Sequence, residues 1–125
     1  MEGEGERILL VDDDPDLRAM VCSQLRQAGF EPEEAEDGTA ALDKLGRTSF
    51  PVMLLDIMLP GMSGLEVLQK ARERHPSCKV IMLTGMAGLS AAIESLKSGA
   101  EDYITKPYSM EYLLTSIRRA LGRRC

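Results

Sequence analysis

The sequence predicts one α/β domain in which parallel strands alternate with helices on both faces of the sheet. Three observations carry that prediction. Short apolar runs recur at residues 8–11, 52–55 and 80–83, too short for buried helices and too continuous for strands with one wet face. Between them lie segments whose apolar residues repeat at three- and four-residue spacing, the mark of amphipathic helices. Gly, Pro and Asp punctuate the junctions. Five strands alternating with five helices call for a doubly wound sheet, with right-handed crossovers covering both its faces. At 125 residues the chain suits one domain with a core that needs no staples.

Ile8-Leu9-Leu10-Val11 reads as a central strand, bounded by Asp12-Asp13-Asp14-Pro15. Asp14 suits an N-cap and Pro15 the first helical position, where a missing N–H costs nothing. Leu17, Val21, Leu25 and Ala28 repeat at helical spacing, and Gly29 stops that helix. Residues 30–35 make a weak strand because they are so acidic, and Pro32 pushes it to an edge. Asp37 caps a short helix over residues 39–45, closed by Gly46. The strand at 52–55 follows and ends at Asp56, with Pro60-Gly61 marking the loop behind it. Ser63 or Gly64 opens a third helix with Leu65, Leu68 and Ala71 on one face, and Pro76 ends the segment. Val80-Ile81-Met82-Leu83 is a fourth strand, stopping at Thr84-Gly85. Leu89, Ala92, Ile93 and Leu96 form the apolar face of a fourth helix ended by Gly99. Tyr103-Ile104-Thr105 is a short fifth strand, stopping at Lys106-Pro107. Ser109 caps the last helix, whose face is Met110, Leu113, Leu114, Ile117 and Leu121. Residues 1–6 are expected to be a flexible tail, 7–122 the domain, and 123–125 a tail or the start of a linker.

Charge is distributed unevenly. Residues 1–43 hold 13 acids and 3 bases, a net of −10, and residues 44–125 hold 7 acids and 12 bases, a net of +5, which sum to the overall −5. An acidic front half argues against nucleic acid as a direct partner of the domain. Arg118-Arg119 and Arg123-Arg124 flank the end of the last helix, where cations suit its dipole. Cys22, Cys78 and Cys125 make no CxxC pair and no zinc spacing; the first two read as small apolar residues in a reducing compartment. No apolar run is long enough to span a membrane, and the first residues have no basic or apolar signal region. The expected location is the cytoplasm, without membrane contact.

The residues at the strand ends carry the chemistry. Six of the seven residues from 52 to 58 are apolar, and the seventh is Asp56. A charge in such a run is costly to bury unless a partner, a metal or an open strand end relieves it. Taken alone, Asp56 is as readily a turn or capping aspartate. Its neighbours weigh against that: strand one ends at Asp12 and Asp13, strand four at Thr84, strand five at Lys106. In a parallel sheet these ends share one edge, where ligands gather. Three carboxylates crowded together repel, and Lys106 offsets one charge only. A hard divalent cation would balance the rest, and all-oxygen ligands suit Mg²⁺. A carboxylate so placed can act as a nucleophile and form an acyl phosphate.

These motifs are Leu9-Leu10-Val11-Asp12-Asp13-Asp14, Leu54-Leu55-Asp56-Ile57-Met58-Leu59-Pro60-Gly61-Met62-Ser63-Gly64, Met82-Leu83-Thr84-Gly85 and Tyr103-Ile104-Thr105-Lys106-Pro107. Together they resemble the receiver domain of bacterial two-component response regulators, over almost the whole chain. The resemblance implies a flavodoxin-like (βα)5 fold with strand order 2-1-3-4-5. It implies that Asp56 is the phosphoacceptor, and that a sensor histidine kinase or a phosphotransfer protein is the donor. It implies Mg²⁺ held by Asp13, Asp56 and the Met58 backbone carbonyl, with Asp12 acting largely through water. Thr84 and Lys106 would read the phosphoryl group. Thr84 and Tyr103 would form the switch, and the face of the fourth helix, fifth strand and fifth helix would meet a downstream effector domain or protein, or a second copy of the chain. The Lys106-Pro107 bond is cis in the family, which sequence alone does not foretell.

Other features weigh less. Asp14 suits a helix cap better than a metal ligand. His75 precedes Pro76 at a helix end, where no strand presents it for catalysis. Gly85-Met86-Ala87-Gly88 lacks the lysine and spacing of a P-loop. Met58 and Met86, two residues after Asp56 and Thr84, occupy positions that tune water access in this family; both are apolar, so slow loss of the phosphoryl group is expected. Competing readings are a Mg²⁺-dependent phosphatase with an aspartyl nucleophile, a degenerate receiver serving only protein contacts, and a flavin-binding sheet. The first usually has an acid where Met58 stands, the intact aspartates, Thr84 and Lys106 disfavour the second, and the loops lack stacking aromatics for the third. No effector domain is in the sequence, which fits either a stand-alone receiver or a piece of a longer regulator.

Overall fold

The computed structural model describes residues 5–85, 88–107 and 109–122. Its elements alternate without exception: β1 (Arg7–Val11), α1 (Pro15–Gln27), β2 (Glu31–Ala35), α2 (Gly38–Arg47), β3 (Val52–Asp56), α3 (Gly64–Arg74), β4 (Lys79–Thr84), α4 (Leu89–Lys97), β5 (Asp102–Thr105) and α5 (Met110–Ala120). All strand pairings are parallel, and the sheet order is β2-β1-β3-β4-β5. Pro32 sits in the edge strand β2, as its missing donor requires.

Strand alternation divides the core into two layers. Leu9, Val11, Met53, Leu55, Val80 and Met82 face Ala41 and Leu45 of α2, Val67, Leu68 and Ala71 of α3, and Ala92 of α4. Ile8, Leu10, Val52, Leu54, Ile81, Leu83 and Ile104 face Val21, Cys22 and Leu25 of α1 and Leu113 and Ile117 of α5. The central strands are apolar on both faces because helices cover both faces. No helix among the described residues is long and apolar enough to cross a membrane.

The caps read from sequence are in place. The side chains of Asp14, Asp37, Ser63 and Ser109 each accept a backbone N–H at the start of a helix. Gly29 and Gly99, with φ of 95° and 103°, turn the chain out of α1 and α4.

Four details differ from the sequence reading. Gly46 does not close α2; the helix runs on to Arg47 and ends at an extended Thr48, because Gly46 keeps a negative φ. On α3, Val67 joins Leu68 and Ala71 inside, whereas Leu65 is only half-buried. On α4, Ala92 and Ser95 face inward, while Ile93 and Leu96 are exposed. The Ser95 hydroxyl is satisfied by the Ala92 carbonyl, so a small polar side chain can sit against the sheet there. Finally, backbone pairing starts earlier than residue 7: Gly5 N–H donates to Gly29 O at 3.0 Å, and Glu31 N–H to Glu6 O at 2.9 Å. Residues 1–4 and 123–125, including Cys125, lie outside the described residues, as does Met86.

Candidate functional site

Sheet register places the candidate residues. Val11 pairs with Leu55, so Asp12, one step further, lies beside Asp56. Asp56 pairs with Leu83, and Thr84 pairs with Thr105, which puts Thr84 and Lys106 each one step beyond. Alternation then sorts them by face. Asp56 lies on the same face as Leu54, towards α1 and α5, whereas Thr84 lies opposite Leu83, on the α4 side. Tyr103 packs against the α4-side core too, two residues before Thr105, so Thr84 and Tyr103 are diagonal neighbours on one face.

Lys106 ties the carboxylates together. Its Nζ donates to Asp12 Oδ2 at 2.9 Å and to Asp56 Oδ2 at 3.1 Å. Asp12 and Asp56 are 1% and 5% exposed. The remaining oxygen of each is also occupied: Asp14 N–H donates to Asp12 Oδ1 at 3.0 Å, and Met58 N–H to Asp56 Oδ1 at 3.0 Å. Asp13 differs. It is exposed and takes no hydrogen bond among the described residues, yet one oxygen from each of Asp12, Asp13 and Asp56 falls within 4.8 Å of the others.

The electrostatics follow from that crowding. Burial pushes the Asp56 carboxyl up; the Met58 N–H and Lys106 pull it down, and the Asp12 charge pushes it up again. Burial works to lower the Lys106 pKa, but the hydrogen bonds to Asp12 and Asp56 outweigh it and raise the value. Three carboxylates against one ammonium leave the notch short of positive charge. A hard divalent cation meets that need, and a set of oxygen donors open to solvent on the Asp13 side fits Mg²⁺.

The neighbouring loops are built to tight tolerance. Gly64 N–H donates to Ile57 O at 2.9 Å, and a Cβ on Gly64 would strike the Asp56 carbonyl and Ile57 Cα. Thr84 Oγ1 donates to Gly85 O at 2.9 Å, and a Cβ on Gly88 would collide with that hydroxyl. Lys106 N–H donates to Thr84 O at 2.6 Å, and the Lys106–Pro107 peptide is cis. Beyond β5 a cleft of about 490 Å³ opens between α4 and α5, lined by Leu89, Tyr103, Thr105 and Tyr112 among others.

The structure therefore gathers Asp12, Asp13, Asp56 and Lys106 at one notch and puts Thr84 and Tyr103 together on the α4-side face of the adjoining strands. Met58 is 65% exposed at its rim, its N–H on Asp56. Cys22 and Cys78 are buried, with thiols raised to about 11, which suits inert core positions. His75 stands at the C-cap of α3, away from the notch. Sequence reading missed Arg18, whose guanidinium bonds the Asp12 backbone carbonyl at 2.7 Å. The only sequence signal for it is a base one turn into the helix that follows the acidic strand end.

Comparison with known proteins agrees with this picture. The family model for the response regulator receiver domain matches residues 8–118. The probable transcriptional regulatory protein TcrX of Mycobacterium tuberculosis is 39% identical over 122 residues, covering 98% of this chain and 52% of that protein. The phosphate regulon transcriptional regulatory protein PhoB of Escherichia coli is 40% identical over 119 residues, covering 94% of this chain and 52% of that protein. This chain thus spans about half the length of the curated relatives it matches. Among solved structures, a CheY-like receiver domain protein from Methanospirillum hungatei superposes with a TM-score of 0.89 at 39% identity, covering 94% of each chain. A receiver domain protein from Clostridium thermocellum gives a TM-score of 0.90 at 29% identity, again over 94% of each.

Proposed function

This chain belongs to the response regulator receiver domain family of two-component signalling, and from that membership we propose that Asp56 is its phosphoacceptor. The donor is the phosphohistidine of a sensor histidine kinase or a phosphotransfer protein. An Asp56 carboxylate oxygen attacks phosphorus, the P–N bond breaks, and its electron pair leaves with the imidazole. Asp13, Asp56 and the Met58 carbonyl would hold Mg²⁺, with Asp12 acting through water. Bound there, the ion supplies positive charge against the oxygens of the moving phosphoryl group. Lys106 gives up part of its hold on Asp56 to pair with a phosphoryl oxygen, and the Thr84 hydroxyl donates to another. Residues 7–122 are the unit that does this.

The observation that carries the reading is the bridging Lys106 ammonium, shared by two buried carboxylates from adjacent strands, with a third carboxylate, unpaired among the described residues, beside them. Incubation with a small phosphodonor and Mg²⁺, followed by intact mass, tests it. One added phosphoryl group, absent in Asp56→Asn, is expected. Turnover of many phosphate esters would make the protein a phosphatase instead, and no modification would make it a contact module. With an apolar Met58 at the rim, the purified phosphoprotein should lose its group slowly; loss within minutes would count against that part.

Phosphorylation adds roughly −1.5 to −2 charges and three acceptor oxygens. Turning towards them, Thr84 would leave its Gly85 bond and vacate space on the α4 side, into which Tyr103 can move. The α4–β5–α5 face would then change shape and serve as the site for an effector domain, an effector protein or a second copy. Direct contact with nucleic acid is not part of this domain's role.

A further inference from the structure

Asp13 raises a question that the notch residues do not answer. Asp12 and Asp56 are fixed by Lys106 and by backbone N–H groups, but no side-chain partner holds Asp13 among the described residues. Its direction depends on the peptide that precedes it. That peptide's carbonyl, the Asp12 C=O, accepts Arg18 Nη1 at 2.7 Å. Arg18 Nε in turn donates to Glu34 Oε1 of β2 at 3.0 Å. The Arg18 side chain is only 14% exposed. Asp12 N–H is taken by Ala35 O at 3.2 Å, so the residue is clamped on both backbone sides.

We infer that Arg18, braced by Glu34, is a positioning residue that aims the Asp13 carboxylate into the metal site. The inference rests on the reading of the notch as a Mg²⁺ and phosphoryl site. With the Asp12–Asp13 peptide plane fixed, the φ of Asp13 starts from a set orientation and its carboxylate stays within reach of Asp56. Without the guanidinium, the plane is free to rotate and Asp13 spends less time aimed inward. The opposing effect is electrostatic: a cation near the notch repels Mg²⁺. Glu34 lies 3.0 Å from the guanidinium and offsets its charge, so the pair adds little net field at the notch and orientation dominates.

The test titrates the full chain with MgCl₂ and follows backbone amide shifts by NMR, for wild type, Arg18→Met, Arg18→Lys and Glu34→Gln. Loss of ligand support typically weakens metal binding by about tenfold or more. Arg18→Met is expected to raise the Mg²⁺ dissociation constant by about tenfold, and Glu34→Gln by a smaller factor. Arg18→Lys keeps the charge but replaces the fixed fork of Nε and Nη1 with one mobile ammonium, so it should raise the constant by an intermediate factor. In phosphorylation by a small donor, the half-saturating Mg²⁺ concentration should rise by the same factor, while the rate at saturating Mg²⁺ changes little. A purely structural arginine would lower thermal stability and leave Mg²⁺ affinity unchanged, and that result overturns the inference. Should Arg18→Met not fold, unchanged affinity in both Arg18→Lys and Glu34→Gln overturns it equally. Failure of wild type to bind Mg²⁺ at residues 12–13 and 56 would instead remove the site assignment itself.

Discussion

The rim of the sheet and the α4–β5–α5 face break the usual rule of burial in opposite ways. At the rim, charges are buried: Asp12 and Asp56 are almost fully enclosed. On the other face, apolar groups are exposed: Ile93 is 48% and Leu96 41% exposed on α4, and Tyr112 is 59% exposed on α5. Buried charge and exposed large apolar side chains are the two placements that stability alone does not favour. Under the proposed function, each placement has a use: the rim takes a cation and a phosphoryl group, and the face takes a partner. Their connection is short, since Thr84 leaves the rim on the face side and Tyr103 sits between it and the open cleft.

The largest expected effect removes the charge at the rim. Asp56→Asn should abolish phosphorylation by small donors and, without Mg²⁺, stabilise the fold. The sign follows from the raised Asp56 pKa. A group whose folded pKa lies above its unfolded value favours the fold below the unfolded value, here 3.8, and loses that contribution as pH rises through the folded value. At neutral pH the ionised carboxylate is therefore a cost. Urea midpoints of wild type and Asp56→Asn should converge near pH 3 and separate in favour of the variant at higher pH; the opposite order at pH 7 would contradict the charge-strain account. Added Mg²⁺ should narrow the gap by stabilising wild type more than the variant.

Lys106→Met comes next. It leaves two buried carboxylates with no cation between them. Removing one partner of a buried pair costs about 3–5 kcal/mol. Here Lys106 is 28% exposed, so the loss should be nearer 1–3 kcal/mol by denaturant titration. Mg²⁺ should restore much of it, which an ordinary core defect would not show.

Gly64→Ala follows in size and tests packing rather than charge. Its Cβ meets backbone, which cannot swing aside as a side chain can. Overpacking of this kind costs about 1–3 kcal/mol. Because the atoms struck are Asp56 O and Ile57 Cα, the variant should also slow phosphorylation, measured as the rate at saturating Mg²⁺. Gly88→Ala offers the finer contrast. Its Cβ would displace the Thr84 hydroxyl from Gly85 O, so NMR shifts at Tyr103 should move with no phosphodonor present.

Most of the rim was legible in the sequence because strand ends in a parallel sheet converge by topology. Apolar runs locate the ends, and the residue after each run is then a candidate without further geometry. Caps such as Asp14 and Ser63 were legible for a similar reason, since their chemistry is local. Arg18 was not, because its partners are a backbone carbonyl and a residue on another strand, and neither leaves a trace in periodicity. The rotation of α4 was missed because four apolar residues at helical spacing look alike whether they face a core or a partner. Only Ser95, whose hydroxyl is satisfied within its own helix, reveals which way the helix is turned.

That ambiguity sets the smallest expected effect, and the one that separates the two regions most clearly. Ile93→Asp places a charge on the apolar stripe of α4. If α4 is oriented as described, the new carboxylate points to water and stability should change by no more than about 0.5 kcal/mol, as at an ordinary surface site. The same change at Ala92, fully buried one residue earlier, should unfold the protein or nearly so, because it buries an unpaired charge. The phosphorylation rate of Ile93→Asp should match wild type, since the rim is untouched. What it should lose is association through the α4–β5–α5 face, measured as capture of an effector domain or self-association of the phosphorylated chain. A large stability loss at Ile93 would mean that the helix is turned the way the periodicity suggested, and that the face is core rather than contact surface.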